Sequence, residues 1–390
     1  MNEAIELGVI TTHIPPAKGY GGVAVSGGNL VRAWVAAGRR IALCSSDESL
    51  GGRLTRDEVA AACGATHVHL YRAQVFPRWG FGAGAPRAVW KTIAAAPAVY
   101  VNGIATWPAT LGALLCAWLG RPFTVAVRGG LMAEHVDHIR RTKPHKWLFY
   151  RWLTMPSLRR ARAIHCTSEL ERDGVAAFLG DGRRPPLAVI ANGVELALSP
   201  APPRASGPLT ICYAGRISRE KGINRLLRIW RGWRRDDERM IVAGSGEGRY
   251  FGEFQILARS DPTIDFRGYV EPAELRGLMA SSDFVTLPSG IEVNDVRENF
   301  GNAVAEGLAL GRPALVTRGL AWDALEPAGA GILFAPTDDD ILRALNRARA
   351  VDRAACAAAA RRYAERHLSI AVTAEALWRV CHGLKGMDRP

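Results

Sequence analysis

The sequence predicts an α/β protein made of two doubly wound halves with a cleft between them. Three observations carry that expectation. A chain of 390 residues is too long for one compact core, because cores stop growing beyond about 250–300 residues. Apolar strand-like runs alternate with glycine loops and helical patterns along the whole chain, as parallel βαβ units require. Residues 195–208 have no periodicity and hold four prolines, the composition of an interdomain linker.

The elements follow in order. Ile5 to Thr11 reads as a strand and runs into a breaker-rich loop, His13 to Gly22. A helix is expected over Ser26–Ala37, stopped by Gly38, and then a strand over Arg40–Cys44. Val68–Tyr71, Ala98–Val101, Phe123–Val127, Ala163–Cys166 and Leu187–Ile190 are further strands, with an apolar helix at 108–119. Past the linker come a strand at Thr210–Ala214, a helix at Ile223–Trp233, and strands at Met240–Ala243, Ile264–Phe266, Phe284–Leu287 and Ala314–Thr317. The Ala/Arg-rich tail near 343–362 reads as helix, and Gly244–Gly248 as a tight turn.

Composition narrows the class. Hydrophobic residues make up 48% and charged residues 22%, an ordinary globular balance. A net charge of +13 favours an acidic partner: phosphates, nucleic acid or an anionic membrane. The seven cysteines are scattered and never in CxxC spacing, which argues for a reducing compartment and against a disulfide framework or a cysteine metal site. Glu3 and Glu6 stand where a signal peptide would be basic. The most apolar stretch, Ile104 to Leu119, is broken by Pro108 and short for a bilayer. A cytoplasmic location is expected, with peripheral contact to the inner membrane as an extension of the basic surface.

The chemistry concentrates between Thr286 and Pro313. A strand ends, Pro288-Ser289-Gly290 open a loop, and a helix is expected over Phe300–Leu310. Gly311 and Pro313 stop it. That helix is apolar almost all round, so Glu306 on it needs a donor from the protein or a ligand. Glu298 precedes the helix start and can share a pocket with its free N–H groups, which suits a ligand bearing hydroxyls and a phosphate. A glutamate paired with arginine and a loop glutamate in water fit the spacing equally. Arg216 and Lys221, five residues apart on a strand-to-helix loop, can face one anion such as a diphosphate, or form a solvated basic turn. Gly21-Gly22 can admit a phosphate to the backbone. Neither GxGxxG nor a Walker motif is present.

Together these stretches carry a resemblance. Tyr213-Ala-Gly-Arg-Ile-Ser-Arg-Glu-Lys-Gly222, Phe266-Arg-Gly-Tyr-Val270, Glu298 through Glu306 and Gly311-Arg-Pro313 come in the order and spacing of family 4 glycosyltransferases. These are retaining enzymes with the two-domain GT-B fold, each domain Rossmann-like. Glu-Asn-Phe-Gly-Asn-x-Val-x-Glu is similar to their Glu-x7-Glu motif. Gly21-Gly22, Thr167-Ser168-Glu169 and Asn192-Gly193-Val194 look like the family's N-terminal landmarks. The division expected with it is an acceptor-binding domain at 1–194, a linker at 195–208 and a nucleotide-sugar domain at 209–369. A last helix near 370–390 packs back on the first domain.

The resemblance implies roles. Arg216 and Lys221 would bind the donor diphosphate, with Gly21 and Gly22 touching the phosphates from the other domain. Glu306 would accept from ribose hydroxyls. Glu298 would hold the transferred sugar, beside the N–H groups of Asn299, Phe300 and Gly301. Val270 would meet the base through its main chain. The chain also departs from the pattern. The loop from Ser289 to Glu298 is longer than usual and carries Glu292, Asn294 and Asp295. Many members have a histidine where this chain has Arg128-Gly-Gly, which resembles a Pro-Arg-Gly-Met-Leu subgroup, as does Gly319–Asp323. Arg128 is therefore given an electrostatic role near phosphate or acceptor. His135 and Asp137 are secondary acceptor or catalytic candidates, though a lone loop His or Asp is more often structural. No DxD pair sits where a metal is expected in this fold, and Asp338–Asp340 reads as a helix N-cap. Neither a metal nor another cofactor is expected.

From Arg140 to Arg162 there are eight Lys and Arg residues and no acid, interleaved with aromatics. That composition suits an anionic bilayer, with Lys146, Trp147, Arg151 and Trp152 facing it, or equally a helix with a buried aromatic face and solvated arginines.

The expected function is retaining transfer of a hexose or N-acetylhexosamine from a UDP- or GDP-sugar to a glycan acceptor, lipid-linked, in bacterial surface polysaccharide or glycoconjugate synthesis. The alternatives are another GT-B nucleotide-sugar enzyme (an epimerase or an inverting transferase) or a basic nucleic-acid binder. The second is argued against by the confined basic stretch and the lack of an RNA motif. A nicotinamide dehydrogenase is argued against by the missing glycine fingerprint.

Overall fold

A computed structural model describes residues 4–196, 207–293 and 298–384. Most of the expected linker, with Glu3, Asn294 and Asp295, lies outside these residues. The chain divides into two compact units, Met1–Gly193 with Ile370–Pro390, and Val194–Ser369. It therefore passes between units twice, the second time where the last helix returns to the first unit. The second passage exists because the helix Ile370–His382 lays Leu377, Trp378 and Cys381 into the first unit. Its Ala374 carbonyl accepts from Trp34 Nε1 at 2.8 Å.

In the first unit the strands are β1 (Leu7–Thr11), β2 (Ile41–Ser46), a small antiparallel pair β3 (Glu48–Ser49) and β4 (Gly52–Arg53), β5 (His67–Tyr71), β6 (Val99–Asn102), β7 (Phe123–Ala126), β8 (Ala163–Cys166) and β9 (Leu187–Val189). The main sheet has the order β5-β2-β1-β6-β7-β8-β9, parallel throughout. In the second unit β10 (Thr210–Ala214), β11 (Arg239–Ala243), β12 (Ile264–Gly268), β13 (Phe284–Leu287), β14 (Ala314–Thr317) and β15 (Gly331–Phe334) form one parallel sheet ordered β12-β11-β10-β13-β14-β15. Each strand order reverses beside its first strand, between β1 and β6 and between β10 and β13. Open parallel sheets bind ligands at the carboxyl ends of such strands.

Helices cover both faces, so the central strands are buried throughout, as in β1 and β10, and read as continuous apolar runs. Leu7 and Val9 point to one core and Ile10 to the other. In the second unit Ile211 and Tyr213 face one core, Cys212 and Ala214 the opposite one. The helix Ile223–Trp233 buries Ile223, Leu226, Leu227 and Trp230 at helical spacing.

Four local expectations are corrected. The first helix spans Gly21–Ala36, so Gly21-Gly22 are its first residues rather than part of the preceding loop. Small residues are needed along it: a Cβ on Gly27 would lie 2.5 Å from Asn102 Nδ2, and one on Gly28 2.5 Å from Pro15 Cδ. Close packing has overridden helix propensity there. The helix expected from Phe300 spans Asn302–Ala309 behind a left-handed Gly301. The alanine-rich tail is two helices, Asp338–Ala350 and Arg353–His367, the second capped by the Asp352 side chain. The cap at Asp338–Asp340 is Thr337, whose side chain accepts from Asp340 N, and the three acids occupy the first turn.

Candidate functional site

The reversal point of the second sheet brings together two of the charged residues that the sequence singled out, Lys221 and Glu298. After β10 the chain makes a short 3₁₀ turn, Arg219–Lys221, and enters the helix Ile223–Trp233 through Gly222. Gly222 has φ +69°, and a Cβ there would lie 2.3 Å from the Pro288 carbonyl. Only glycine allows the loops after β10 and β13 to touch here. That contact brings Lys221 to Glu298: ammonium and carboxylate pair directly, and the Ser289 hydroxyl donates to the same carboxylate oxygen at 2.9 Å. Glu298 is 8% exposed, so its charge depends on those two partners.

Glu306 lies on the next helix with its carboxyl shielded. Burial raises its pKa above the usual glutamate value, against a weak opposing pull from Arg276. Among the described residues no side chain donates a hydrogen bond to it. Between the two glutamates, Phe300 is buried, with its ring tilted against Trp322 at 4.7 Å, and its carbonyl accepts from Trp322 Nε1. Gly301 caps the helix, so main-chain N–H groups of its first turn lack intrahelical acceptors. Glu292, in the long loop, accepts from Arg225 N at 2.7 Å and from the Tyr250 hydroxyl at 2.8 Å, which fixes the start of that loop.

Arg216 stands apart from the Lys221–Glu298 pair. Its side chain is 70% exposed and meets Glu220 at 3.2 Å. Its carbonyl accepts from the Tyr213 hydroxyl at 2.7 Å. Val270 is half-buried just past β12, beside an exposed Tyr269.

In the first unit, Arg128 follows β7 with φ +52°, an unusual conformation for a non-glycine residue. Three acceptors hold it: Asn102 Oδ1 at 2.7 Å, Asn192 Oδ1, and the Tyr100 hydroxyl oxygen at 3.0 Å. The network continues to His165, whose Nε2 lies 2.8 Å from the Ile190 carbonyl and must carry the proton. Its Nδ1 therefore accepts from Tyr100 at 2.9 Å. Burial, then the Arg128 charge, lowers the His165 pKa to about 3, so the ring is neutral. Sequence reading missed Asn102, Tyr100, His165 and Glu171. Glu171 is fully buried and accepts from Gly129 N and from the amide and hydroxyl (3.0 Å) of Thr167, tying the loops after β7 and β8 together. A polar residue at a strand end was the signal available for Asn102, whereas Tyr100 and His165 lie inside β6 and β8. For Glu171 the signal was Ser168 three residues ahead, its helix cap.

Gly21 and Gly22 are exposed at the first turn of their helix. His135 and Asp137 lie on the helix Ala133–Thr142, not in a loop, because Val136 and Ile139 give it an apolar face. Asp137 is exposed and paired with Arg141 at 3.6 Å. In the basic-aromatic stretch Trp147 turns inward, edge-on to Phe178 at 6.2 Å, contrary to the expected outward face. Lys146 is half-buried with its ammonium 5.6 Å from the Tyr150 ring centroid. Arg151, Leu148 and Trp152 are exposed. No described helix is long and apolar enough to cross a membrane.

Two family descriptions match the chain: "Glycosyl transferase 4-like domain" over residues 21–193 and "Glycosyl transferases group 1" over residues 208–349. The chain belongs to the group 1 glycosyltransferases. The match over the second unit of this glycosyltransferase contains Lys221, Glu298 and Glu306, and that over the first contains Arg128 and its partners. A glycogen synthase of Mycobacterium tuberculosis is 28% identical over 204 residues, 51% of this chain and 47% of that protein. The chain thus spans about half the length of the curated relatives it matches. Among solved structures, HepE of Anabaena in complex with UDP has a TM-score of 0.72 at 16% identity, covering 98% of this glycosyltransferase and all of HepE. Sucrose-phosphate synthase of Thermosynechococcus elongatus gives 0.70 at 16%, covering 97% and 99%. WaaG, a glycosyltransferase involved in lipopolysaccharide biosynthesis, gives 0.67 at 14%, covering 97% and 100%. At these identities the likeness carries the fold, which is GT-B.

Proposed function

We propose that this glycosyltransferase moves a hexose or N-acetylhexosamine from a UDP- or GDP-sugar to a glycan acceptor with retention of configuration and without a metal. The observation that carries the reading is the Lys221–Glu298–Ser289 cluster at the reversal point of the second sheet, followed one helix later by a shielded Glu306 to which no described side chain donates. Glu306 suits the ribose hydroxyls, since a carboxylate held from water gains most from O–H donors. Glu298 suits the sugar hydroxyls. Lys221 suits the diphosphate, with the main-chain N–H groups after Gly301 adding to it. Structures of HepE with UDP and with UDP-glucose support the donor class; WaaG is involved in lipopolysaccharide biosynthesis, and a role in bacterial surface polysaccharide with a lipid-linked acceptor is the extension proposed here.

Charge orders the steps. Cleavage of the bond from the anomeric carbon to the phosphate oxygen leaves negative charge on the diphosphate, and Lys221 and the helix N–H groups stabilise it as it forms. The acceptor oxygen bonds to the same face of that carbon, and its proton passes to the departing phosphate oxygen. Arg128 supplies a fixed cation in the first unit, where the acceptor binds. Incubation with UDP- and GDP-sugars and nuclear magnetic resonance of the product tests this. A product with the donor's anomeric configuration is expected. An inverted linkage, or an isomerised sugar with no acceptor consumed, would replace the reading with an inverting transferase or an epimerase.

A further inference from the structure

The first sheet has a second charged region, at the edge where its strands begin. Arg121 lies two residues before β7, Arg162 one before β8 and Arg183 four before β9, and these strands are neighbours. Arg160 ends the helix Met155–Arg160. All four arginines line one open concavity of about 400 Å³, with Cys116 and Phe123 in its wall. Among the described residues none of the four has a carboxylate partner; Asp181, close to Arg183 in sequence, meets Arg184 at 3.6 Å. Arg128 and its network belong to the opposite edge, where the strands end.

One feature opposes an anion here. The helices Trp107–Leu119 and Met155–Arg160 both end at the concavity, and a helix C-terminus carries about half a negative charge. Two such ends offset about one of the four positive charges, so the field stays strongly positive. Arg160, Arg162 and Arg183 are exposed and Arg121 half-buried, which leaves their forked donors available to oxygens. Phosphate accepts such forks in pairs.

We propose that this concavity binds a phosphate-bearing anion through the guanidinium groups of Arg121, Arg160, Arg162 and Arg183. The phosphate can come from a soluble ester or from a phosphomonoester lipid headgroup, and the chemistry is the same.

The test uses the full chain with Lys221→Ala and Glu298→Gln, which removes the ammonium that the second unit offers a diphosphate without leaving its buried carboxylate partner unpaired. Calorimetric titration with inorganic pyrophosphate is compared with and without the further pair Arg160→Ala and Arg183→Ala. Pyrophosphate binds the first protein, and the added pair weakens it by about ten-fold or more, as expected when two charged contacts are lost. Arg160→Lys with Arg183→Lys weakens it less, which separates loss of charge from loss of fold. Vesicles of phosphatidylcholine with and without phosphatidic acid then identify the source. Capture that depends on phosphatidic acid and falls with the alanine pair supports the site and assigns the headgroup. Capture unaffected by the pair, with pyrophosphate binding lost, supports the site and assigns a soluble ester. Equal pyrophosphate affinity with and without the pair, or no binding to either protein, would overturn the proposal.

Discussion

Lys221 and Glu298 share an ion pair that is costly to break from one side. Removing Lys221 leaves a carboxylate that is 8% exposed with the Ser289 hydroxyl as its one side-chain partner among the described residues. Loss of one partner of a buried pair costs about 3–5 kcal/mol. Lys221→Met is therefore expected to lower stability in denaturant unfolding, and Lys221→Met with Glu298→Gln to recover part of the loss; additive losses would show that the pair contributes no coupling. Glu306 gives a pH signature. Its carboxyl pKa is raised in the folded state by burial, so the folded protein binds more protons than the unfolded one above the usual glutamate pKa. Stability contributed by this group then falls as pH rises from about 4.5 toward the raised value. Glu306→Gln should be more stable than the parent at pH 7, and the difference should close below about pH 4.5; a constant difference across that range would contradict the shielding. His165 works the other way. Its pKa is lowered to about 3, so its contribution is full above about pH 6.5 and is lost as pH falls toward 3. His165→Gln should flatten the decline in melting temperature between pH 6.5 and 4.5.

At the scale of elements, the site depends on how two loops meet. Gly222 lets the turn after β10 touch Pro288 in the loop after β13. Gly222→Ala places a methyl where the Pro288 carbonyl sits, in a left-handed conformation that costs about 1–3 kcal/mol. It is expected to weaken nucleotide-sugar binding as well as stability, because it displaces the loop that begins the path to Glu298. Full donor affinity in that variant would show that the contact does not position the pair. The sequence made this element readable because a strand, a glycine and a helix followed at short spacing. The first helix was harder: Gly21-Gly22 carry the local signal of a loop, and the approach of Asn102 to Gly27 and of Pro15 to Gly28, further along, is what explains glycine inside a helix. Asp338–Asp340 show the same limit, since an acid run is compatible with a cap or a first turn and the hydroxyl of Thr337 decides between them. Arg216 looked equivalent to Lys221 by spacing, but which side chain reaches Glu298 depends on the turn geometry, and spacing does not encode that.

The whole molecule adds what no local pattern carries. The two parallel sheets were legible because buried parallel strands write themselves as apolar runs. The network of Tyr100, Asn102, Arg128, His165 and Asn192 was not, because its members are far apart in the chain and meet only when the strands align. The first unit is also completed from the far end of the sequence. Trp378 is 4% exposed and packs at 6.1 Å from Trp34. Trp378→Ala should cost about 3–5 kcal/mol, the usual loss for a large buried aromatic. Hydrogen exchange should show that loss in β1, β2 and the first helix, and protection unchanged there would contradict the packing described.

The central claim is that Glu298 holds the transferred sugar while the nucleotide is held by other groups. Binding of the nucleoside diphosphate and turnover of its sugar, measured side by side for the parent and Glu298→Gln, test it most directly. The account predicts turnover reduced by about a hundred-fold or more, with nucleoside diphosphate affinity within about three-fold of the parent, less than 1 kcal/mol. Undiminished turnover in Glu298→Gln, or loss of both in equal measure, would contradict it.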